Sequence, residues 1–590
     1  MVRREKPPAI VVLGPSAMPL ARRLKSLLDG EIHGPKSLSD IDVGMSGVTD
    51  GLRSLFADGR PIVGLCASGI LIRAVAPLLD DKLKEPAVVA MAEDGTAVVP
   101  LLGGHHGAND LARKIAEATG ARAAITTATD LRFGFGLDSP PPGYELANPM
   151  DAKEFAARLL AGETVSVEGS APWVMLASHP GSALEIRVTH EAGRASPDRL
   201  VFHPRAVAVG VGCERGVAAD ELIGLVENTL KAHRIATPSV ALVASLDIKA
   251  DEPAIHTLSQ KFGVPARFLT AKELEAEADR LATPSDVVLA EVGVAGVAEA
   301  AALAAVGRSG TLVVAKTKSK RATCAVALAS EPIDPEKVGA ARGKLMVVGV
   351  GPGGPGDRSE RARDALRTAT DWVGYGLYLD LIADLKRTQA EHRFPLGAEI
   401  ERARHAISHA RQGRSVALVT SGDPGIYAMA SLIFEILDNE PAPIALEVVP
   451  GISALQAASA HSGALIGHDF CCISLSDLLT PWPVIEERLK AAAEADFVIA
   501  LYNPRSEKRR AQLPRALVFL KARRPAETPV VIASNVGRKH EQVRVVRLDE
   551  FDPSEVDMMT LVLVGSSQSK AFTRGDGRTY AYTPRGYLAR

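Results

Sequence analysis

Cysteine is scarce in this chain of 590 residues, with five in all: Cys66, Cys213, Cys324, Cys471 and Cys472. None of them forms a C-x-x-C pair and no H-E-x-x-H occurs, which excludes the usual linear zinc motifs and a disulfide framework. No metal is expected. An excess of charge is also lacking: 68 Lys and Arg face 70 Asp and Glu, for a net charge of -2. No long-range field therefore draws the chain to nucleic acid or an anionic membrane, and an anionic ligand must find a local basic pocket. Long apolar runs are absent, so no segment reaches the ~20 residues of a membrane span. The run Ala9–Leu13, behind Arg3, Arg4 and Lys6, is too short for a signal peptide, and a cytoplasmic protein is expected. No internal repeat or low-complexity tract stands out.

What is present is an ordinary globular composition, 46% apolar and 23% charged, in a chain too long for one core; about three to five domains are expected. Short apolar runs alternate with amphipathic stretches throughout, which reads as α/β. Early strands are expected at Ala9–Leu13 and Pro61–Leu65, and a hairpin at Ala87–Ala92 and Ala97–Leu102. A second set is expected at Ala206–Val211, Val240–Ala244, Val287–Ala290 and Thr311–Ala315. The Pro-, Gly- and charge-rich stretch Ser330–Gly343 reads as a linker. Beyond it, strands are expected at Lys344–Val350, Ser415–Thr420, Leu446–Val449, Phe497–Leu501, Pro529–Ala533 and Thr560–Val564.

Three glycine-rich turns each follow a predicted strand. Gly349-Val350-Gly351-Pro352-Gly353-Gly354 formally satisfies the dinucleotide fingerprint, which keeps an NAD(P)-dependent oxidoreductase open as an alternative. Against it, Pro352 and Pro355 stiffen the loop, and Asp357 with Glu360 forms a capping box that starts the helix late. The next strand, near Trp372–Gly374, also lacks the terminal acid that would hold a ribose hydroxyl. Ser421-Gly422-Asp423-Pro424-Gly425-Ile426-Tyr427 is the second turn, and Pro450-Gly451-Ile452-Ser453-Ala454 the third. Glycines there let a ligand approach the backbone, at the strand ends where α/β folds bind ligands.

G-V-G-P-G, G-D-P-G-I-Y and P-G-I-S-A, in this order and spacing, resemble the motifs of the tetrapyrrole methylase family. Within it, the segment from Gly467-His468-Asp469-Phe470 to Thr480-Pro481, Leu501-Tyr502-Asn503-Pro504-Arg505 and Ala533-Ser534-Asn535-Val536-Gly537-Arg538 are similar to the precorrin-3B C(17)-methyltransferase subgroup. The resemblance covers Gly343 to about Phe572. It implies a two-lobed class III methylase that uses S-adenosylmethionine to methylate ring carbon 17 and contract the macrocycle in cobalamin biosynthesis. The substrate implied is precorrin-3B or its cobalt analogue, and methylases of this type are often homodimers. Carried over by motif, cofactor contacts fall on Pro352, Gly422, Asp423, Ile426, Ser453, Ala454, Tyr502 and Ser534. His468 and Asp469 are candidates for the proton movements of ring contraction. Arg505 and Arg538 are candidates for substrate carboxylates, whereas the run Lys508–Arg510 reads as a solvated helix face.

The N-terminal half resembles the cobalt-precorrin-5A hydrolase family, through Gly69–Arg73, Gly103-Gly104-His105-His106-Gly107-Ala108-Asn109 and, further on, Gly210–Cys213, Ala244–Lys249 with Glu252, and Lys316 with Thr323-Cys324. That family opens a δ-lactone and releases acetaldehyde, and Lys82, His105 and Lys249 would polarise the carbonyl or activate water. The chain departs from the family by one glycine in the loop around His105, which puts hydrolysis in doubt. A non-catalytic corrinoid-binding module is the alternative. The domains expected are residues 1–135, 136–204 and 205–330, a linker at 331–343 and the methylase at 344–590, with lobes at about 344–457 and 458–572.

Overall fold

The computed structural model describes residues 7–81, 84–104, 107–127, 132–133, 136–138 and 140–587. The chain divides into two compact units, Met1–Gly339 and Ala340–Arg590.

Among the described residues the first unit holds three sheets. A seven-stranded sheet runs in the order Val43–Met45, Glu31–Pro35, Ala9–Val12, Ile62–Leu65, Val88–Met91, Ala97–Leu102, Arg122–Ala123. Its one antiparallel pair is the expected hairpin of Val88–Met91 and Ala97–Leu102. A four-stranded sheet spans Tyr144–Leu146 to Arg199–Pro204. A five-stranded sheet follows, centred on Val207–Cys213, which pairs in parallel with Val240–Leu246 and antiparallel with Ala322–Leu328. Val287–Ala290, expected as a strand, lies instead in a helix, Asp286–Val292, closed by Gly293 at φ +75°. Its apolar side chains are largely exposed, Val287 at 69%, so no sheet was available to draw this run into a ladder. The stretch read as a linker is tied down: buried Arg267 donates to the carbonyls of Glu336, Val338 and Gly339.

The second unit begins with a parallel five-stranded sheet in the order Ala390–Phe394, Asp371–Tyr375, Ser415–Thr420, Lys344–Gly349, Ala445–Val449. Trp372 is fully buried in its core and donates its indole N–H to the Leu366 carbonyl at 2.9 Å. A second, mixed sheet runs Phe470–Ser474, Val498–Tyr502, Thr560–Val564, Pro529–Ser534, Gln542–Arg547. Each sheet alternates with amphipathic helices whose apolar sides cover it, giving two lobes. Among the described residues no single helix is long and apolar enough to cross a membrane.

Candidate functional site

In the first lobe Ser415–Thr420, Lys344–Gly349 and Ala445–Val449 are neighbours and parallel, so their C-terminal ends, and the three glycine turns, meet on one sheet edge. The turns are interlocked. Gly351 and Gly422 exchange backbone hydrogen bonds, at 3.3 and 2.7 Å. A Cβ on Gly349 would stand 2.6 Å from the Gly422 carbonyl oxygen and 2.8 Å from the Gly451 nitrogen, so only glycine lets the turns close on one another. Gly422 differs: its φ is +65°, and a Cβ there would meet nothing nearer than the Ala454 nitrogen at 3.8 Å. A methyl there would rest at ordinary contact distance from the backbone of Ser453 and Ala454.

The side chains expected at the cofactor gather here. Asp423 accepts the N–H of Gly425 at 2.8 Å and of Gly451 at 3.2 Å. Ser453 is buried and caps helix Ala454–Ser462 in a capping box with Gln456. Tyr502, from the second lobe, accepts the Leu455 N–H through its phenol oxygen at 3.3 Å. Burial, outweighing that hydrogen bond, pushes its pKa up to about 12, so the phenol stays neutral. Tyr427 packs against Tyr502 with ring centroids 5.3 Å apart and donates its hydroxyl to the Cys472 carbonyl. Ser534 ends its strand and shares a 2.7 Å hydroxyl contact with Thr560. Pro352 offers its carbonyl to Arg538, and Ile426 N–H turns back onto the Asp423 carbonyl.

Three of the described residues with left-handed backbone lie beside these turns. Tyr427, Asn503 and Asn535 all have φ near +50°, and each lies in a turn that follows a strand bearing on the site. Non-glycine residues held in this region cost of order 1–3 kcal/mol and cluster where function requires them.

Arg538 joins the lobes: Nε donates to the Pro352 carbonyl and Nη2 to Ser421 Oγ, both at 2.8 Å, while Nη1 has no partner among the described residues. Arg402, on helix Glu399–Arg411, was not expected at the site. It is 4% exposed, and its Nε and Nη1 are likewise unpartnered. Burial lowers the pKa of both guanidinium groups, and both act on the half-buried Tyr378 phenol. Two desolvated cations with spare N–H groups suit carboxylates of a polyanionic ligand.

Other expected residues stand elsewhere. Arg505 spends its guanidinium on the Pro553 and Ser554 carbonyls. The run Lys508–Arg510 is no helix face: it lies before helix Gln512–Lys521, and Arg509 is 7% exposed. Its guanidinium holds the carbonyl of Asn503, the residue at positive φ after Tyr502, and Ser476 Oγ. His468 and Asp469 precede the edge strand Phe470–Ser474, are exposed, and contact each other at 3.2 Å. Roughly 13 Å of strand, at ~3.3 Å per residue, separates them from the end that carries Ser474 and Tyr502. Asp357 does not cap the late helix; Ser359 does, accepting the Ala362 N–H at 3.2 Å.

In the first unit Lys249 ends a short turn after Val240–Leu246, close to Cys213 and to Glu252, which is 1% exposed. Glu252 accepts the Gly216 N–H. Burial and then the Glu252 charge push the Cys213 thiol up to about 11, too high for a nucleophile at neutral pH. Lys316 is committed to the Thr283 carbonyl. Lys82 and His105 lie outside the described residues.

The fold and the site define a two-lobed α/β unit whose candidate ligand site is built from three interlocked glycine turns. Residues 344–552 match the model for Tetrapyrrole (Corrin/Porphyrin) Methylases, 207–327 that for Cobalamin synthesis G C-terminus and 50–130 that for Cobalamin synthesis G N-terminal. A relative from Salmonella typhimurium, named probable cobalt-factor III C(17)-methyltransferase, is 43% identical over 41% of this chain and 99% of its own length. The precorrin-3B C(17)-methyltransferase of a Sinorhizobium species is 41% identical over 42% of this chain and 97% of its own. The crystal structure of the methyltransferase CobJ is 40% identical, with a TM-score of 0.39, over 41% of this chain and all of its own. The chain belongs to the tetrapyrrole methylase family through its C-terminal unit, joined behind cobalamin synthesis G-type domains.

Proposed function

We propose that the C-terminal unit is an S-adenosylmethionine-dependent methyltransferase acting on carbon 17 of precorrin-3B, or of its cobalt-containing counterpart, with contraction of the ring. The observation that carries the reading is the interlocking of the three turns at Gly349, Gly422 and Gly451, with Tyr502 of the second lobe bonded to the backbone after them. The donor set fits the cofactor: glycine backbone at Gly422 with no atom closer than 3.8 Å to an added Cβ, carboxylate and hydroxyl acceptors, and a tyrosine pair beside the turns. S-adenosylmethionine, when bound, supplies a methyl group on a sulfonium. Pro352 and Asp423 fix the turns that position it. Ser453, Ala454 and Tyr502 close the floor and exclude water, and position and dryness supply most of the rate for an in-line displacement. Arg402 and Arg538 hold carboxylates of the macrocycle.

The test is incubation of the purified chain with precorrin-3B and methyl-labelled S-adenosylmethionine, with mass analysis of the product. One added labelled methyl group with ring contraction is expected. Tight binding of NADPH and none of S-adenosylmethionine would instead favour the oxidoreductase reading of the Gly349–Gly354 loop.

For the N-terminal unit the grouping of Lys249 with buried Glu252 at a sheet edge favours a retained polar site, and with it a lactone hydrolase over a passive corrinoid-binding module. Acetaldehyde release from cobalt-precorrin-5A by the full chain, lost on Lys249→Ala, is expected. Corrinoid binding without release would establish the module.

A further inference from the structure

Away from the cleft, the fold assembles three histidines that the reaction does not use. His392 lies on the edge strand Ala390–Phe394, and His405 and His409 lie one turn apart on helix Glu399–Arg411. Residues four apart share a helix face, and here that face meets the strand. Ring centroids stand 4.6 Å apart for His392 and His405, 4.5 Å for His392 and His409, and 4.3 Å for His405 and His409. We propose that His392, His405 and His409 form a binding site for a divalent late first-row transition-metal ion such as Zn²⁺, Co²⁺ or Ni²⁺, with Asp371 as its carboxylate partner.

One nitrogen from each ring lies within 4.8 Å of the other two. At metal–nitrogen bonds of about 2.05 Å, tetrahedral ligands stand about 3.4 Å apart, so small ring rotations complete the set. Three imidazoles suit Zn, Ni and their neighbours better than calcium or magnesium.

Two further observations point to an ion. His405 Nε2 is buried and has no hydrogen-bond partner among the described residues, a cost that coordination would remove. Asp371, fully buried, meets His392 Nε2 at 2.9 Å and stands 3.4 Å from His409 Nδ1. Carboxylates placed in this way orient ligating imidazoles and raise their basicity.

One group opposes the ion. Arg414 also bonds Asp371 and comes within 3.4 Å of His409 Nδ1. Its side chain is 46% exposed, so it can turn to solvent when a metal enters. Asp371 opens its strand, whereas the glycine turns follow strand ends. The ion would therefore brace the lobe and take no part in methyl transfer.

The test uses the full chain, free of any affinity tag and stripped with a chelator, titrated with Zn²⁺ against a chromophoric competitor and with Co²⁺ by its visible absorption. One ion per chain, a raised melting temperature, and affinity lower by at least about 100-fold in His405→Gln/His409→Gln are expected, with ligand loss exceeding the outer-shell range. Arg414→Gln should bind more tightly. If the double variant shows no cooperative melting, His392→Gln serves with the same expectation. Absence of stoichiometric binding, or affinity unchanged in whichever variant folds, would overturn the site; the second result would place the ion on other groups such as the cysteines.

Discussion

Asp423 reaches from its own turn to the next, where its Oδ2 accepts the backbone N–H of Gly451 at 3.2 Å. Its other oxygen holds Gly425 N–H at 2.8 Å, so one carboxylate sets the spacing of two of the three turns. Hydrogen bonds to a charged acceptor contribute about 1.5–3 kcal/mol. Asp423→Ala should therefore weaken S-adenosylmethionine binding by about 10- to 100-fold, measured by calorimetry. Unchanged affinity would show that the turns keep their spacing without it.

Two glycines in those turns separate packing from ligand space. Gly349→Ala puts a methyl 2.6 Å from the Gly422 oxygen, and overpacking of this kind costs about 1–3 kcal/mol. Its melting temperature should fall. Gly422→Ala meets no atom closer than 3.8 Å but must hold φ at +65°, at about 1–2 kcal/mol. Its cofactor affinity should fall by more than its stability explains, because the methyl stands in the ligand's space. Equal loss of affinity in the two variants at matched stability would remove the distinction.

The turns were legible in the sequence because glycine spacing is local and the neighbouring strands are apolar runs. The helix at Asp286–Val292 carried its own signals, Ser285 before it, Asp286 in its first turn and Gly293 after it, but four apolar residues in a row read as a strand. Arg402, Arg509 and the three histidines left no such trace. Their significance lies in burial and in contacts between segments far apart in sequence, which no window reports. His468 and Asp469 matched a motif, yet strand direction sets them away from the turns.

Arg402 is a buried cation with two nitrogens that have no partner among the described residues, and the Glu399 carboxylate is 3.7 Å away. Replacing such a charge by an apolar side chain of similar volume is often neutral or stabilising. Arg402→Met should hold or raise the melting temperature while raising KM for the macrocycle about tenfold, on the ~1.4 kcal/mol scale of one hydrogen bond to a charge. A fall in stability with KM unchanged would make Arg402 structural.

His468 and Asp469 offer a check on the division of labour. Both are exposed, and His468 Nδ1 meets both the backbone N–H and the carboxylate of Asp469. His468→Ala should leave cofactor affinity unchanged, read by calorimetry. Any role in ring contraction should then appear as methylated product that keeps its full ring, seen by mass. A lost affinity would place the histidine at the turns after all.

Acid stability of the second lobe should depend on Asp496. Burial alone would raise its pKa, but the Ser567 hydroxyl and N–H, at 2.7 and 2.8 Å, and the charge of buried Arg524 outweigh it and hold the carboxyl below the usual range. A folded pKa below the unfolded value of about 3.9 means the unfolded chain binds the proton more readily. The stabilisation is thus complete above the unfolded pKa and disappears as pH falls through the lowered folded value. Asp496→Asn should melt earlier than the parent chain at pH 7, and the gap should close as the pH drops below about 4. A gap that stays constant down to the acid transition would mean that Ser567 and Arg524 hold the side chain by its shape and not by its charge.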